Sequence, residues 1–356
     1  MNVIGIDEGK NVLKIVWNWS LMMKTDKGEH KLMGPKRSIV LAAVSKVKES
    51  YHNIWVLMEL TKINEVEYSL SVDLKLVNII VGIGSYSSMY PCPYGECYRN
   101  RQGVWVKGPD RTVNKIKNCR TKWMNISRNK EGNRANLKNY MNCEHIPLVN
   151  GDPNDPIIKT IPPPPLHTVL LGPVNHVFKA LEKKYPPILQ TISKLHIQKS
   201  KYHGCSFEGN QCRSILKSIH KLNIPDRYSA FREVLLAIKD LHRLCNDQIL
   251  SCNYPKIIDE FRSAWFQLID EFGDISTTPK IHILLHHLED YFDSSNTTLV
   301  KTTDELCENM HQFLNKRLMK SFYFVKDVSN QSHGDRLFRA VRHLNSYNIY
   351  VANKNN

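Results

Sequence analysis

The apolar residues of this chain change period part-way along it, and that change limits the fold more than any other feature. Over the first ninety residues the runs "NVIGID", "VLKIVWNW", "RSIVLAAV" and "EYSLSV" are short and rich in β-branched or aromatic residues, the pattern of strands. "DEGKN" between the first two is a hairpin-type turn. "YHNIWVLMELTKI" between the last two has helical spacing at Ile54, Val56, Leu57 and Leu60. From about 75 to 84 the chain is apolar nearly all round, which predicts a buried helix. Beyond the proline-rich "LVNGDPNDPIIKTIPPPPLH", from about 166 to 292, the period is that of amphipathic helices: "VNHVFKALEKKY", "QCRSILKSIHKL", "FREVLLAIKDLHRLC" and "IIDEFRSAWFQLIDEF". A last amphipathic helix is expected over roughly 303–320, ahead of a polar tail ending "NKNN".

At 356 residues the chain is about twice the ~150 expected of one domain, so two packed units or one core with a large insertion are expected. Lysine and arginine exceed aspartate and glutamate by 49 − 34 = 15, which favours a polyanionic partner, nucleic acid ahead of an acidic membrane surface. No run approaches the roughly 20 apolar residues that span a bilayer, and "MNVIGIDEGK" lacks a secretory leader pattern, so an intracellular protein is expected. Nine cysteines spread over the chain fit reduced thiols or metal ligands rather than a disulfide scaffold. A small-molecule enzyme has little support: "GIGSYSS" lacks the third glycine of a dinucleotide fingerprint, and "HILLHH" lacks the glutamate of a metalloprotease helix.

Hairpin, strand, helix, strand and helix, then a helical insertion and a final helix, suggest a ribonuclease-H-like mixed sheet interrupted by an all-α insertion. The expected divisions are residues 1–98 for the first part of the core, 99–300 for the basic segment and insertion, and 301–350 for the final helix and a C-terminal helix. Such a sheet presents acids from two strands and one late helix. Two-metal phosphoryl transfer needs that cluster, because carboxylates on rigid elements must bridge two Mg²⁺ or Mn²⁺ ions. Asp7 closes the first strand, Asp73 the fourth, and Glu308 opens the last helix, with Glu305 its nearest rival. Each acid also has a plain reading: a strand-end Asp serves as a turn or N-cap residue, and Glu308 lies away from the Leu306, Met310, Phe313 and Leu314 stripe.

Several segments agree, in order, with one known family. "DLKLVNIIVGIGSYSSMYPCPYGEC" resembles the stretch of the V(D)J recombinase catalytic subunit and its Transib-type transposase relatives that runs from the second catalytic Asp through a helix to a cysteine pair. "PLHTVLLGPVNHVFKAL", "GNQCRSILKSI", "IHILLHHLEDY" and "DELCENMHQFLNKR" are similar to later helices of that family, the last holding its catalytic Glu. The resemblance covers roughly 70–320 and reaches the start only through Asp7. It implies a DDE nuclease and strand transferase acting on DNA in the nucleus, often as a homodimer, with Asp7, Asp73 and Glu308 as catalytic acids. Because the sequence starts almost on the first catalytic strand, the family's N-terminal DNA-binding region is expected to be absent or supplied elsewhere. The competing reading is a transposon-derived fragment that binds nucleic acid or a protein without catalysis.

The resemblance also implies a structural Cys₂His₂ zinc site. His282 and His287 match the family's histidine pair, and Cys92 matches its first cysteine. The position three later is Gly95, so Cys97 has to stand in; Cys143, His145 and His286 are spare candidates. The plain reading of such residues is a hydrogen-bonded core histidine and an inert buried thiol. Finally, "VWVKGPDRTVNKIKNCRTKWMNISRNKEGNRANLKNY" interleaves cations with Trp105, Trp123 and Tyr140. Arg99, Arg101, Lys107, Arg111, Lys115, Lys117, Arg120 and Lys122 are therefore expected on a DNA-binding groove, against the alternative of a solvated basic loop.

Overall fold

The computed structural model describes residues 2–354 apart from 10–11, 20, 25–29, 34–37, 86, 101–103, 128–133, 201–204, 303–309 and 311–332. It is a mixed α/β protein with a small mixed sheet and many helices. Strands β1 (Asn2–Gly9), β2 (Val12–Trp19), β3 (Leu21–Lys24), β4 (His30–Met33) and β5 (Ile39–Ser45) come first. Helix α1 (Tyr51–Thr61), β6 (Ser69–Ser71) and α2 (Leu74–Val81) follow, then the two-residue strands β7 (Tyr98–Arg99) and β8 (Trp105–Val106). The helices continue with α3 (Val113–Ser127), α4 (Ile157–Thr160), a π-helical turn Leu166–Leu171, α5 (Gly172–Lys184), α6 (Ile188–Lys194), α7 (Gly209–Lys217), α8 (Ser229–Asn246), α9 (Tyr254–Phe272), α10 (Pro279–His286), α11 (Leu288–Ser295) and α12 (His333–Lys354).

These elements form two compact units. The first comprises Met1–Glu96, Pro109–Pro162 and Lys301–Asn356; the second comprises Cys97–Gly108 and Pro163–Val300. Residues 109–162 fall in the first unit with the strands of the main sheet, and residues 163–300 in the second. Backbone hydrogen bonds tie residues 144–148 to the end of α2. Glu144 and His145 both donate their N–H to the Gly82 carbonyl at the end of α2, and Leu148 donates to Ile80.

In the first unit the main sheet runs β5-β2-β1-β6, with β6 parallel to β1 and the other neighbours antiparallel. The central strands are buried almost continuously, through Val3, Ile4 and Ile6 on β1 and Val12, Leu13, Ile15 and Val16 on β2, as strands covered on both faces require. One cover is α12, whose Leu337, Ala340 and Leu344 pack with Val12, Val16 and Val40. A helix thus occupies most of the stretch read from the sequence as a C-terminal helix and polar tail. Its Asn345 also completes the edge strand, accepting from the Val40 N–H at 3.0 Å and donating to the Val40 carbonyl at 2.8 Å. The other expected helix, over 303–320, lies outside the described residues but for Met310, which joins this core.

Helix α2 is buried nearly all round, as its composition predicts, through Leu74, Leu76, Val77, Ile80 and Val81. Asp73 starts it and Gly82 ends it in the left-handed conformation at φ 79°. Nothing larger fits there, because a Cβ on Gly82 would lie 2.4 Å from the His145 carbonyl oxygen. In the second unit, α10 packs on the π-helical turn, α5 and α9, around a core that includes Phe178, Phe231, Phe261 and Trp265. No helix among the described residues is long and apolar enough to cross a membrane.

Candidate metal centre and candidate acidic site

Helix α10 begins at Thr278, whose hydroxyl accepts the Ile281 N–H at 3.4 Å, and Pro279 fills its first position. In an uninterrupted helix, residues five apart project roughly 140° from each other, so His282 and His287 could not meet. The helix breaks at His287, with ψ −16° at its C-cap, and α11 starts afresh. The break brings the two imidazole rings edge to face with centroids 5.1 Å apart.

Cys97 Sγ lies 3.7 Å from Nε2 of His287. With Cys92, five residues earlier on the same loop, these side chains form a cluster whose ligand atoms all lie within 4.8 Å of one another. All four residues are buried, His282 and Cys97 completely. The loop that carries Cys92 is fixed by Arg111, whose Nε donates to the carbonyls of Cys92 at 2.9 Å and Gly95 at 3.1 Å. Gly95 thus contributes its backbone carbonyl to this anchor.

The electrostatics suit ligation. Burial holds the His282 imidazole below its ordinary pKa, in the neutral form that binds metal. Burial also acts downward on His287, but the Asp290 carboxylate, 3.6 Å from Nδ1, and the Cys97 sulfur outweigh it and raise the pKa. No carboxylate or carbonyl is bonded to either ring nitrogen of His282, whose polar neighbour is the Cys97 sulfur. A buried imidazole with a lone pair beside a cysteine sulfur suits a metal ion held by both. Two sulfurs and two imidazoles are the donor set of a metal such as zinc.

Of the spare candidates, His145 stacks on Tyr51 at 4.1 Å and Cys143 Sγ meets Nη1 of Arg111 at 3.5 Å. His286 lies beside the cluster, its ring centroid 4.9 Å from that of His282, and burial pushes its pKa down to about 4.

Of the expected catalytic acids, Asp7 and Asp73 are placed and Glu308 lies outside the described residues. The parallel register pairs Val3 with Ser69, Ile4 with Leu70 and Gly5 with Ser71. Asp7 and Asp73 each come two residues after the last pair, but Asp7 does not close its strand as expected, since β1 continues to Gly9 with Asp7 opposite Lys14, whereas Asp73 follows the end of β6. Asp73 Oδ1 accepts the Leu76 N–H at 2.7 Å, which makes it the N-cap of α2 as well. Glu49, not singled out in the sequence, also reaches this sheet end, accepting the Glu8 N–H at 3.0 Å and the Lys75 ammonium at 2.7 Å. Lys14 is buried level with Asp7 on β2.

The basic residues divide. Lys115, Lys117 and Lys122 are exposed on α3, and Arg120 is half-buried over Trp123 at 5.5 Å. Arg111 corrects the expected groove: it is 0% exposed and bonded to backbone carbonyls, so it cannot meet phosphate. Arg99 is half-buried on the Thr277 carbonyl, Lys107 faces Asp290 at 3.6 Å, and Arg101 lies outside the described residues. Among known proteins, neither a family model nor a curated protein matches this chain.

Proposed function

We propose that this chain is the core of a ribonuclease-H-like DDE nuclease and strand transferase acting on DNA, with a zinc ion held by Cys92, Cys97, His282 and His287. The observation that carries the reading is the matched register of Asp7 on β1 and Asp73 just after β6, each two residues beyond the last pair of these parallel neighbours, in a sheet of order β5-β2-β1-β6. With Glu308 they would hold two Mg²⁺ or Mn²⁺ ions, which supply activation of water and stabilisation of the leaving oxygen. Water adds to the phosphorus as the 3′ oxygen leaves, and the freed 3′-hydroxyl then displaces the same group from a second phosphodiester. Lys115, Lys117 and Lys122 suit the DNA backbone on charge and exposure. Nuclear localisation and a homodimer belong to the same proposal.

The zinc role is structural: four buried protein ligands leave no position for a reacting water. A second reading, nucleic-acid binding without catalysis, is favoured by Asp73, which spends one carboxylate oxygen on its own helix. Plasmid nicking in Mn²⁺ separates the two. The nuclease reading expects wild type to nick supercoiled DNA and Asp7→Asn and Asp73→Asn to lose at least 100-fold. Binding of DNA with no nicking by wild type leaves only the second reading.

A further inference from the structure

We propose that Trp105 is the positioning residue of the metal centre, its indole holding the His282 ring in the ligating plane. The inference rests on the reading of Cys92, Cys97, His282 and His287 as a metal site. A ligand histidine ordinarily fixes its ring by donating its second N–H to a carboxylate or carbonyl. His287 has such a group, Asp290, on its Nδ1 side. His282 has no such carboxylate or carbonyl among the described residues, its polar neighbour being the Cys97 sulfur. It has instead a flat wall: Trp105 stacks on it with centroids 3.9 Å apart and an interplanar angle of 8°. At that separation the imidazole cannot turn about its Cβ–Cγ bond without striking the indole, so stacking takes over the orienting task.

The wall is itself fixed. Nε1 of Trp105 donates to the Thr277 carbonyl at 2.9 Å, and the Arg99 guanidinium covers the indole at 4.8 Å while donating to the same oxygen at 2.8 Å. The Thr277 hydroxyl accepts Nε1 of Trp265 on α9 at 3.1 Å, and the next residue, Thr278, caps the helix that carries His282. Ligand and wall therefore share one anchor, Thr277–Thr278. Removing the indole leaves the ligand set complete and frees one ring.

The test uses the full chain loaded with Zn²⁺, release to a colorimetric chelator being timed for wild type, Trp105→Phe, Trp105→Leu and Arg99→Gln. The Leu variant is expected to bind stoichiometric metal yet release it about tenfold faster or more, with Phe within about twofold of wild type. The visible absorption of the Co²⁺ forms should change for Leu and persist for Phe, a signature that a merely structural role would not move. Equal acceleration by Phe and Leu would assign the effect to the lost Thr277 bond and overturn the stacking role. Should Leu fail to fold by circular dichroism, Arg99→Gln, which retains the indole, is expected to quicken release about threefold, and wild-type release by it overturns the proposal. Failure of wild type itself to bind Zn²⁺ or Co²⁺ sinks the metal-site reading instead, so the two failures are distinct.

Discussion

Arg111 offers the sharpest test of the architecture, because its charge suggests one role and its position another. Replacing it by methionine keeps a long apolar stem and removes the guanidinium. Three short charge-assisted bonds go with it, to the carbonyls of Cys92 at 2.9 Å, Gly95 at 3.1 Å and Met141 at 2.9 Å. At about 1.5–3 kcal/mol each, their gross loss is roughly 5–9 kcal/mol. Against this stands the several kcal/mol of desolvation that a buried cation no longer costs. The expected net destabilisation is about 3 kcal/mol, measured as the shift in urea unfolding. Lys117→Met, at an exposed position on α3, is expected to cost no more than about 0.5 kcal/mol. If Arg111→Met unfolds within about 0.5 kcal/mol of wild type while DNA affinity and its salt dependence drop, Arg111 is a phosphate ligand and its buried role is refuted.

Three further outcomes are expected. Gly82→Ala should destabilise by about 2 kcal/mol or more in thermal unfolding, since φ 79° strains an L-residue and its Cβ would meet the His145 carbonyl. His242 is pushed down to about 4 by burial and, secondarily, by Arg213, so the folded state resists its protonation. Its contribution is fully present above the unfolded value of about 6.5 and is lost as pH falls toward 4. His242→Gln, uncharged throughout, should flatten that part of the stability profile, and an unchanged slope in urea unfolding at pH 7, 6 and 5 would contradict it. Lys117→Ala with Lys122→Ala should weaken DNA binding uniformly across sequences and reduce the salt slope by about 2, read by fluorescence anisotropy.

Local patterns made much of this protein legible before any coordinates. The strand-type runs became β1, β2, β5 and β6, "YHNIWVLMELTKI" became α1, and the all-apolar stretch after Asp73 became the buried α2. Periodicity reports which face of an element is buried, so elements with clear periods are readable one at a time. The ligand set Cys92, Cys97, His282 and His287, named from the family resemblance, is also the cluster that forms. Spacing alone could not have shown it, because a five-residue pair converges only where the helix breaks, at His287.

What the tertiary structure decided is where charged and aromatic side chains point. Arg111 and Lys115 stand four residues apart in one basic run, yet the first is buried among carbonyls and the second exposed on α3. Trp105, one of the aromatic residues interleaved in the basic run, lies flat on His282. The matched register of Asp7 and Asp73 is likewise a matter of strand pairing. Charge and residue type are properties of the sequence, but burial and partner depend on which distant segments converge, and no local pattern encodes that.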